Sequence, residues 1–283
     1  MSQTPPYRGR FAPTPTGPLH LGSLVSAMAS YLEARIHHGT WQLRIDDLDQ
    51  TRCRPGMDDH IIQTLHNLGF RWQAPIQYQQ QHQTDYQHAL DQLRQRGLVY
   101  ACECSRQQLR ATPLYPGTCR ARNHPDAPGY ALRLCTDDQV INLQDRWQGH
   151  YSQRLAQDTG DFVIRRRDGI TAYQLAVVVD DQQAQITHVV RGADLLDSTC
   201  RQIYLQHQLG YPTPVYTHVP LVLGADGKKL SKSAAAEPLG QSQPLTALGT
   251  AWQFLQPQKP PSTLRTVAEF WDWATMLWSI HTP

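Results

Sequence analysis

A histidine between two glycines follows a run of prolines near the start of the chain. The stretch "FAPTPTGPLHLGS" places Gly17, His20 and Gly22 where an extended segment changes to helical spacing. The N-terminus of a helix offers unpaired N–H groups and a positive dipole end, which attract phosphate. Glycine lets a nucleotide approach the backbone closely. The pattern suits a phosphate site with His20 as a donor, but a histidine that opens a helix is more often a cap or a surface residue, and the motif alone favours that explanation.

Lysine is rare in this chain except in one short segment. It occurs four times, and three of these residues lie in "GKKLSKS", residues 227–233. Lys229 and Lys232 follow a Gly-rich turn, where ammonium groups can bind a polyphosphate as negative charge develops on it. A solvated basic loop is the alternative, and the segment taken alone favours it.

Three of the six cysteines fall within 18 residues, in "CECSRQQLRATPLYPGTC". A disulfide framework is not expected in a chain of this length without a secretion signal. Thiolates are preferred zinc ligands, but Cys102 and Cys104 are closer together than in a CxxC motif. Cys119 adds a third thiol, and the nearest histidine, His124, comes just after it. Spacing leaves open both a zinc site and three unrelated reduced thiols.

Apolar periodicity predicts the elements that position these groups. The first hundred residues indicate the order β-α-β-α-α, a parallel, nucleotide-binding-like plan, with elements at about 7–12, 19–39, 41–49, 57–69 and 83–97. From about 100 to 150, cysteine, proline and glycine replace the periodicity, which indicates an inserted module. Strands are expected again in 161–196, a β-α unit in 190–210, and helix-compatible sequence in the Trp-rich tail.

The composition is that of an ordinary globular protein, with 40% hydrophobic and 18% charged residues. A net charge of +2 is too small to indicate a strong nucleic-acid binder. The longest apolar runs are far shorter than the ~20 residues that cross a bilayer. The N-terminus shows no apolar signal segment. We therefore expect a cytoplasmic protein with no membrane partner.

The two phosphate-site motifs together resemble the HIGH and KMSKS signatures of class I aminoacyl-tRNA synthetases. "HLGS" begins at His20, and "KLSKS" runs from Lys229 to Ser233. "RFAPTPTGPLHLGS", "LRIDDLD", "AYQLAVVVDD" and "VVRGADLL" are similar to the glutamyl-tRNA synthetase branch, and the resemblance covers roughly residues 8–233. It implies an α/β, Rossmann-like catalytic domain with an inserted zinc-bearing module and a short helical C-terminal segment.

The resemblance also implies domain boundaries. Residues 1–100 and 151–233 would form the two halves of the catalytic domain, 101–150 the inserted module, and 234–283 a linker with a short helical segment. A full glutamyl enzyme continues beyond the lysine loop into an anticodon-binding domain. The short tail is instead similar to the glutamyl-Q tRNA(Asp) synthetases, which attach glutamate to the queuosine base of tRNA(Asp).

The family assigns roles to individual residues. The implied glutamate contacts are Arg10, Phe11, Ala12, Pro13, Thr14, Asp46, Tyr173 and Arg191. The implied ATP contacts are His20, Gly22, Ser23 and Lys232, with His20, Lys232 and Lys229 as the catalytic donors. The implied ligands of a structural zinc ion are Cys102, Cys104, Tyr115 and Cys119. Asp46 replaces the family's usual glutamate, and a structural ion pair with Asp194 is the alternative role for Arg191.

The implied reaction is ATP-dependent formation of glutamyl-adenylate, with Mg²⁺ accompanying ATP. The substrate carboxylate is already ionised at pH 7 and needs no general base. The partners would be ATP, L-glutamate and queuosine-bearing tRNA(Asp), and the protein would be a monomer. Two alternatives are a truncated glutamyl-tRNA synthetase that charges the 3′ end of tRNA(Glu), and a catalytically silent paralogue that binds zinc and RNA.

Overall fold

The computed structural model describes residues 5–105, 107–110, 114–222, 239 and 243–280. Its strands are β1 (Arg8–Phe11), β2 (Thr40–Ile45), β3 (Gln73–Tyr78), β4 (Val99–Cys102), β5 (Ala131–Leu134), β6 (Val140–Asp145), β7 (Gly149–Arg154), β8 (Phe162–Arg165), β9 (His188–Gly192) and β10 (Val215–Val219). Its helices are α1 (Leu21–Ile36), α2 (Met57–Asn67), α3 (Gln83–Gln95), α4 (Leu155–Asp158), α5 (Tyr173–Gln183), α6 (Leu196–Leu209), α7 (Pro244–Leu255) and α8 (Val267–Leu277). None of the described helices is both long and apolar enough to cross a membrane.

Five parallel strands form the centre of the fold. β2 pairs with β1 on one side and with β3 on the other, and β9 pairs with β10. Thr187, next to β9, joins the two groups: its N–H donates to the Arg8 carbonyl at 3.0 Å, and its Oγ1 accepts from the Arg8 N–H at 2.9 Å. The order β3-β2-β1-β9-β10 is that of an open α/β sheet, in which ligands bind at the carboxyl ends of the strands.

The segment between the two halves of this sheet is built from antiparallel strands. β4, β5 and β8 form one antiparallel sheet, and β6 and β7 form a hairpin. The sequence pattern predicted no strands between about residues 100 and 150, because short strands interrupted by turns show little periodicity. The hairpin reaches the central sheet, since the Arg146 N–H donates to the Tyr216 carbonyl at 3.1 Å.

Two further elements differ from the sequence prediction. The β-α-β-α-α plan omitted β3. Its sequence "QAPIQY" shows no alternation of apolar and polar residues, and it includes Pro75, which a sheet tolerates here because β3 is an edge strand among the described residues. The segment 161–196 was expected to form strands, but α5 lies within it. Seven consecutive α5 residues, Leu175 to Asp181, are buried, so no polar stripe marks the helical period.

The Trp-rich tail packs against α1 and the end of α2. The Trp271 ring meets Tyr31 and Phe70 edge-on, with centroid distances of 4.8 Å in both cases. Its Nε1 donates to the Leu68 carbonyl at 2.9 Å, and Trp278 Nε1 donates to Oε1 of the buried Glu33 at 2.7 Å. These contacts fix the helix whose N-terminus carries the HLGS motif.

Gly69 gives the tail room to dock, and its replacement tests this role. The residue has φ +79°, and an added Cβ would lie 2.3 Å from Val267 and 2.9 Å from Trp271. We expect Gly69→Ala to lower the free energy of unfolding by about 3 kcal/mol, through backbone strain and overpacking. Gly97→Ala is the matched control, because its φ is +68° with no atom within 4 Å of the added Cβ.

The control should lose only about 1 kcal/mol from backbone strain. Denaturant titration followed by tryptophan fluorescence measures both values. Equal losses in the two variants would show that Gly69 makes no special room for α8.

Candidate active site

A cavity of about 550 Å³ opens at the carboxyl ends of β1, β2, β9 and β10. It is lined by every residue predicted to contact glutamate: Arg10, Phe11, Ala12, Pro13, Thr14, Asp46, Tyr173 and Arg191. His20, Gly22 and Ser23 line the same cavity. The predicted catalytic residues Lys229 and Lys232 lie outside the described residues. The structure therefore brings two of the sequence motifs, the amino-acid residues and the HLGS segment, to one place.

His20 is the N-cap of α1. Its backbone is extended, and its Nδ1 accepts a hydrogen bond from the Ser23 N–H at 3.2 Å. A neutral imidazole whose Nδ1 accepts carries its proton on Nε2, so that nitrogen is a donor. A Cβ at Gly22 would lie 3.2 Å from two atoms of the His20 ring, so this glycine gives space to the histidine. Direct approach of a nucleotide to Gly22 stays a prediction.

A buried guanidinium connects the strands below the cavity. Arg44 is only 2% exposed; its Nε donates to Asp46 Oδ1 and its Nη1 to Asp181 Oδ1, both at 2.7 Å. Arg10 also donates to Asp181, from Nε at 3.1 Å and from Nη2 at 3.2 Å. The Asp181 carboxylate thus joins two guanidinium groups from β1 and β2 to α5. Removing one partner would leave an uncompensated buried charge.

The two carboxylates in this network differ in their affinity for a proton. Burial raises the pKa of Asp46 to about 6, although Arg44 opposes the shift through its charge and its hydrogen bond. Burial acts in the same direction on Asp181, but Arg10 and Arg44 outweigh it and hold the pKa of Asp181 below its usual range. Asp181 therefore stays ionised to a lower pH than Asp46. Asp46 is an anion at neutral pH that an added cation would stabilise further.

Arg191, at the end of β9, is paired differently. Its Nη2 donates to Thr199 Oγ1 at 2.8 Å and to Gln202 Oε1 at 2.7 Å, and its Nε donates to His218 Nε2 at 3.0 Å. Its Nη1 lies 3.5 Å from the Tyr173 hydroxyl. Among the residues that the structure describes, the hydrogen bonds of this guanidinium all go to neutral groups. The ion pair with Asp194 considered from the sequence is not among them.

Three residues of this site were not predicted from the sequence: Arg44, Asp181 and His218. A signal was present for Arg44, because residues two apart on a strand share a face and Asp46 was expected to face the substrate. Asp181 was visible only as an acid at the end of the apolar run "LAVVVDD". An acid in such a run needs a buried partner, but the partner is set by the fold.

Cys102, Cys104, Tyr115 and Cys119 come together away from the cavity. The three sulfur atoms lie within 4.8 Å of one another, with 3.6 Å between Cys104 and Cys119. The Tyr115 hydroxyl lies 3.3 Å from Cys102 Sγ and 3.9 Å from Cys104 Sγ. Tetrahedral Zn–S bonds of about 2.3 Å would place sulfurs about 3.8 Å apart. These residues could therefore hold a metal ion.

The guanidinium of Arg133 lies against this cluster of possible metal ligands. Arg133 Nε donates to Cys102 Sγ at 3.2 Å, and its guanidinium lies 3.7 Å above the centroid of the Tyr115 ring. The hydrogen bond and charge of Arg133 favour the thiolate form of Cys102, which is the form that binds a metal. A second set of possible metal ligands shares Cys119 with the first. It consists of Glu103, Cys119 and His124, whose ligand atoms lie within 4.8 Å of one another.

Comparison with known proteins confirms the resemblance drawn from the motifs. Residues 7–238 match the family described as tRNA synthetases class I (E and Q), catalytic domain. The chain is 48% identical to the glutamyl-Q tRNA(Asp) synthetase of Verminephrobacter eiseniae over 98% of both chains. It is 54% identical to the enzyme of that name from Burkholderia cenocepacia over 87% of both.

A solved structure gives the same result for the fold. The glutamate-tRNA synthetase from Elizabethkingia anophelis is similar with a TM-score of 0.71 and 29% identity over 81% of this chain. The match covers 53% of that protein, so this chain spans about half its length. The predicted α/β class I catalytic fold and the predicted ligase class are thus confirmed, and the chain belongs to the glutamyl-Q tRNA(Asp) synthetase family of class I tRNA synthetases.

Proposed function

We propose that this enzyme activates L-glutamate with ATP as glutamyl-adenylate and transfers the glutamyl group to the queuosine base of tRNA(Asp). The observation that carries the acceptor is the alignment over 98% of both chains with a relative of that name. The class I family membership supports ATP, an amino acid and tRNA as substrates.

The cavity has the charges that glutamate requires. Glutamate carries one ammonium group and two carboxylates. Asp46 supplies an anion for the ammonium, and Arg191 is a cation whose hydrogen-bond partners in the described structure are neutral. Arg10 binds Asp181 through Nε and Nη2, which leaves its Nη1 for a ligand. Guanidinium groups bind carboxylates bidentately, so Arg10 and Arg191 suit the two carboxylates of the substrate.

Adenylate formation requires mainly alignment and stabilisation of charge. A carboxylate oxygen of glutamate attacks the α-phosphorus of ATP, an O–P bond forms, and the bond to pyrophosphate breaks. The His20 Nε2–H and the N-terminus of α1 would donate to the phosphates. Mg²⁺ bound to ATP would neutralise phosphate charge. The roles of Lys229 and Lys232 stay predictions, as do the monomeric state and the cytoplasmic location.

A structural zinc ion fits the cysteine module. The four donors are the ones that the family resemblance implied, and their separations suit a closed tetrahedral shell. The cluster holds the end of β4 to the segment that contains Tyr115 and Cys119. The hydrophobic core there is small, because few buried apolar side chains contribute to it. The ion would therefore stabilise this module and take no part in adenylate formation.

Glutamylation assays on purified tRNAs identify the acceptor. Labelled glutamate should appear on queuosine-bearing tRNA(Asp), and not on unmodified tRNA(Asp) or on tRNA(Glu), because the cyclopentenediol of queuosine provides the hydroxyl nucleophile. Enzymatic trimming of the 3′ end distinguishes the two acceptor sites. Trimmed tRNA(Asp) should still accept glutamate; loss of acceptance would favour charging of the 3′ end, and acceptance by tRNA(Glu) would favour a glutamyl-tRNA synthetase.

Metal content tests the zinc proposal. Protein purified without chelator should contain about one zinc ion per chain, and Cys119→Ser should lose it because a closed shell needs all its ligands. Cys53→Ser is the matched control, since Cys53 lies outside the cluster. Elemental analysis measures all three proteins. A wild-type content near zero, or full zinc retention in Cys119→Ser, would remove the site from the account.

The charge of Asp46 gives a prediction for the amino-acid pocket. Asp46→Ala should raise the KM for glutamate about 10- to 100-fold, since it deletes a charged hydrogen-bond partner. The KM for ATP should stay within about threefold. Asp46→Glu should be tolerated, because it restores the family's usual side chain. Glutamate-dependent pyrophosphate exchange measures these constants, with Asp47→Ala as the control for loss of an adjacent buried acid outside the cavity.

The same assay should depend on pH in wild type. Because the pKa of Asp46 is raised to about 6, the carboxyl is charged at pH 7 and becomes protonated as the pH falls through 6. The KM for glutamate should then rise below pH 6, and Asp46→Ala should lack this rise. An unchanged KM in Asp46→Ala at pH 7 would show that the residue serves only to pair with Arg44.

A further inference from the structure

A buried Asp–His pair lies directly behind Arg191. His218 on β10 is 0% exposed and Asp145 at the end of β6 is 1% exposed. The two meet through His218 Nδ1 and Asp145 Oδ2 at 2.6 Å. Neither side chain lines the substrate cavity. The pair is therefore too deep to contact substrate, and its effect on the cavity must pass through the residues that it touches.

Asp145 is fixed as an ionised acceptor. Its Oδ1 accepts from the backbone N–H groups of Trp147 at 2.9 Å, Gln148 at 2.8 Å and His218 at 3.1 Å. Burial raises the pKa of Asp145, but the hydrogen bonds from His218 and from these backbone groups outweigh it and hold the pKa below its usual range. An ionised carboxylate donates no proton, so His218 Nδ1 must carry the proton of their shared hydrogen bond.

This tautomer determines what His218 offers to Arg191. With the proton on Nδ1, the neutral ring presents a lone pair at Nε2, and Arg191 Nε lies 3.0 Å from it. Thr199 Oγ1 is also 3.0 Å from Nε2, but its hydroxyl donates to the Leu195 carbonyl at 3.1 Å, which leaves the lone pair to Arg191. Thr199 and Gln202 accept from Nη2 at 2.8 Å and 2.7 Å. The inner edge of the guanidinium is therefore held by acceptors, and Nη1 is left on the side of Tyr173, which lines the cavity.

We propose that Asp145 and His218 are positioning residues for substrate recognition, which orient Arg191 so that its outer nitrogen meets a carboxylate of the amino acid. The proposal rests on the function proposed above for the cavity. His218 lies between the Arg191 guanidinium and the Asp145 carboxylate, and because its ring is neutral it orients Arg191 without cancelling the positive charge. A carboxylate in direct contact with Arg191 would instead compete with the substrate, as Asp181 does at Arg10.

The decisive variant reverses one hydrogen bond and keeps the shape. In Asp145→Asn the amide oxygen still accepts from the three backbone N–H groups, which leaves the NH₂ group facing His218 Nδ1. The ring must then carry its proton on Nε2, where it opposes the N–H of Arg191 Nε. His218→Gln is the conservative variant, because its amide can donate to Asp145 and accept from Arg191. His218→Leu removes the acceptor without touching the backbone bonds of Asp145.

Glutamate-dependent ATP–pyrophosphate exchange gives the readout. Asp145→Asn and His218→Leu should each raise the KM for glutamate at least about tenfold, the effect of losing one charged hydrogen bond. The KM for ATP should stay within about twofold, and His218→Gln should keep the KM for glutamate within about threefold of wild type. Asp161→Asn is the matched control: Asp161 is another buried acceptor, 4% exposed, that bonds to Tyr100 and Thr136 and does not line the cavity.

A glutamate KM within twofold of wild type in Asp145→Asn would overturn the proposal. Should that variant fail to fold, equal glutamate KM values in His218→Leu and His218→Gln would overturn it as well. An equal rise in the KM values for glutamate and ATP would also overturn it, because it would show that Asp145 and His218 only stabilise the fold. Failure of the proposed function is distinct, because wild type itself would then show no exchange with glutamate.

Discussion

The guanidinium of Arg44 is almost completely buried, and a buried cation must be paired within the fold. Its three carboxylate partners come from two places: Asp46 follows it on the same chain segment, and Asp180 and Asp181 lie on α5. Arg10 on β1 binds the same Asp181. Two strands and a helix are thereby held in one relative arrangement at the floor of the cavity. Any substrate enters a site whose charges are already ordered.

Arg10 and Arg191, the two cavity arginines that we assign to the substrate carboxylates, differ in how much of their hydrogen-bonding capacity remains for a ligand. Arg10 shares its charge with Asp181, whereas the partners of Arg191 are hydroxyl, amide and imidazole groups. We infer from this difference that Arg191 would attract a carboxylate more strongly, and that Arg10 would combine substrate binding with its structural pairing to Asp181. The Asp145–His218 pair then connects substrate recognition to the β6–β7 hairpin, which sequence analysis assigned to an inserted module.

How far the sequence predicts the site depends on the kind of signal. Arg10, Asp46, Tyr173 and Arg191 each lie in a short motif that resembles the family. They line one cavity because the carboxyl ends of the parallel strands and the start of α5 meet there, and their roles in binding stay predictions. His218 was not found, since its role depends on Asp145 at a separation of 73 residues. Such a contact arises from the tertiary fold and leaves no local pattern.

The same limit applies to the secondary structure. The amphipathic helices α2 and α3 were predicted from their spacing, whereas α5 was placed among strands because burial on all sides removed its polar stripe. The tail was recognised as helix-compatible, but its docking on α1 through Trp271 and Trp278 depends on partners far away in the sequence. Burial and distant pairing, which hide elements from sequence analysis, are also what hold the site together.

The central claim is that the Arg44 network and Arg191 together form a glutamate site. A crystal structure of the protein with bound glutamate tests it most directly. The account predicts the ammonium nitrogen within hydrogen-bond distance of an Asp46 carboxylate oxygen, and a substrate carboxylate on Arg191 Nη1. Glutamate bound with its ammonium group away from Asp46, or with neither carboxylate on Arg191, would contradict it.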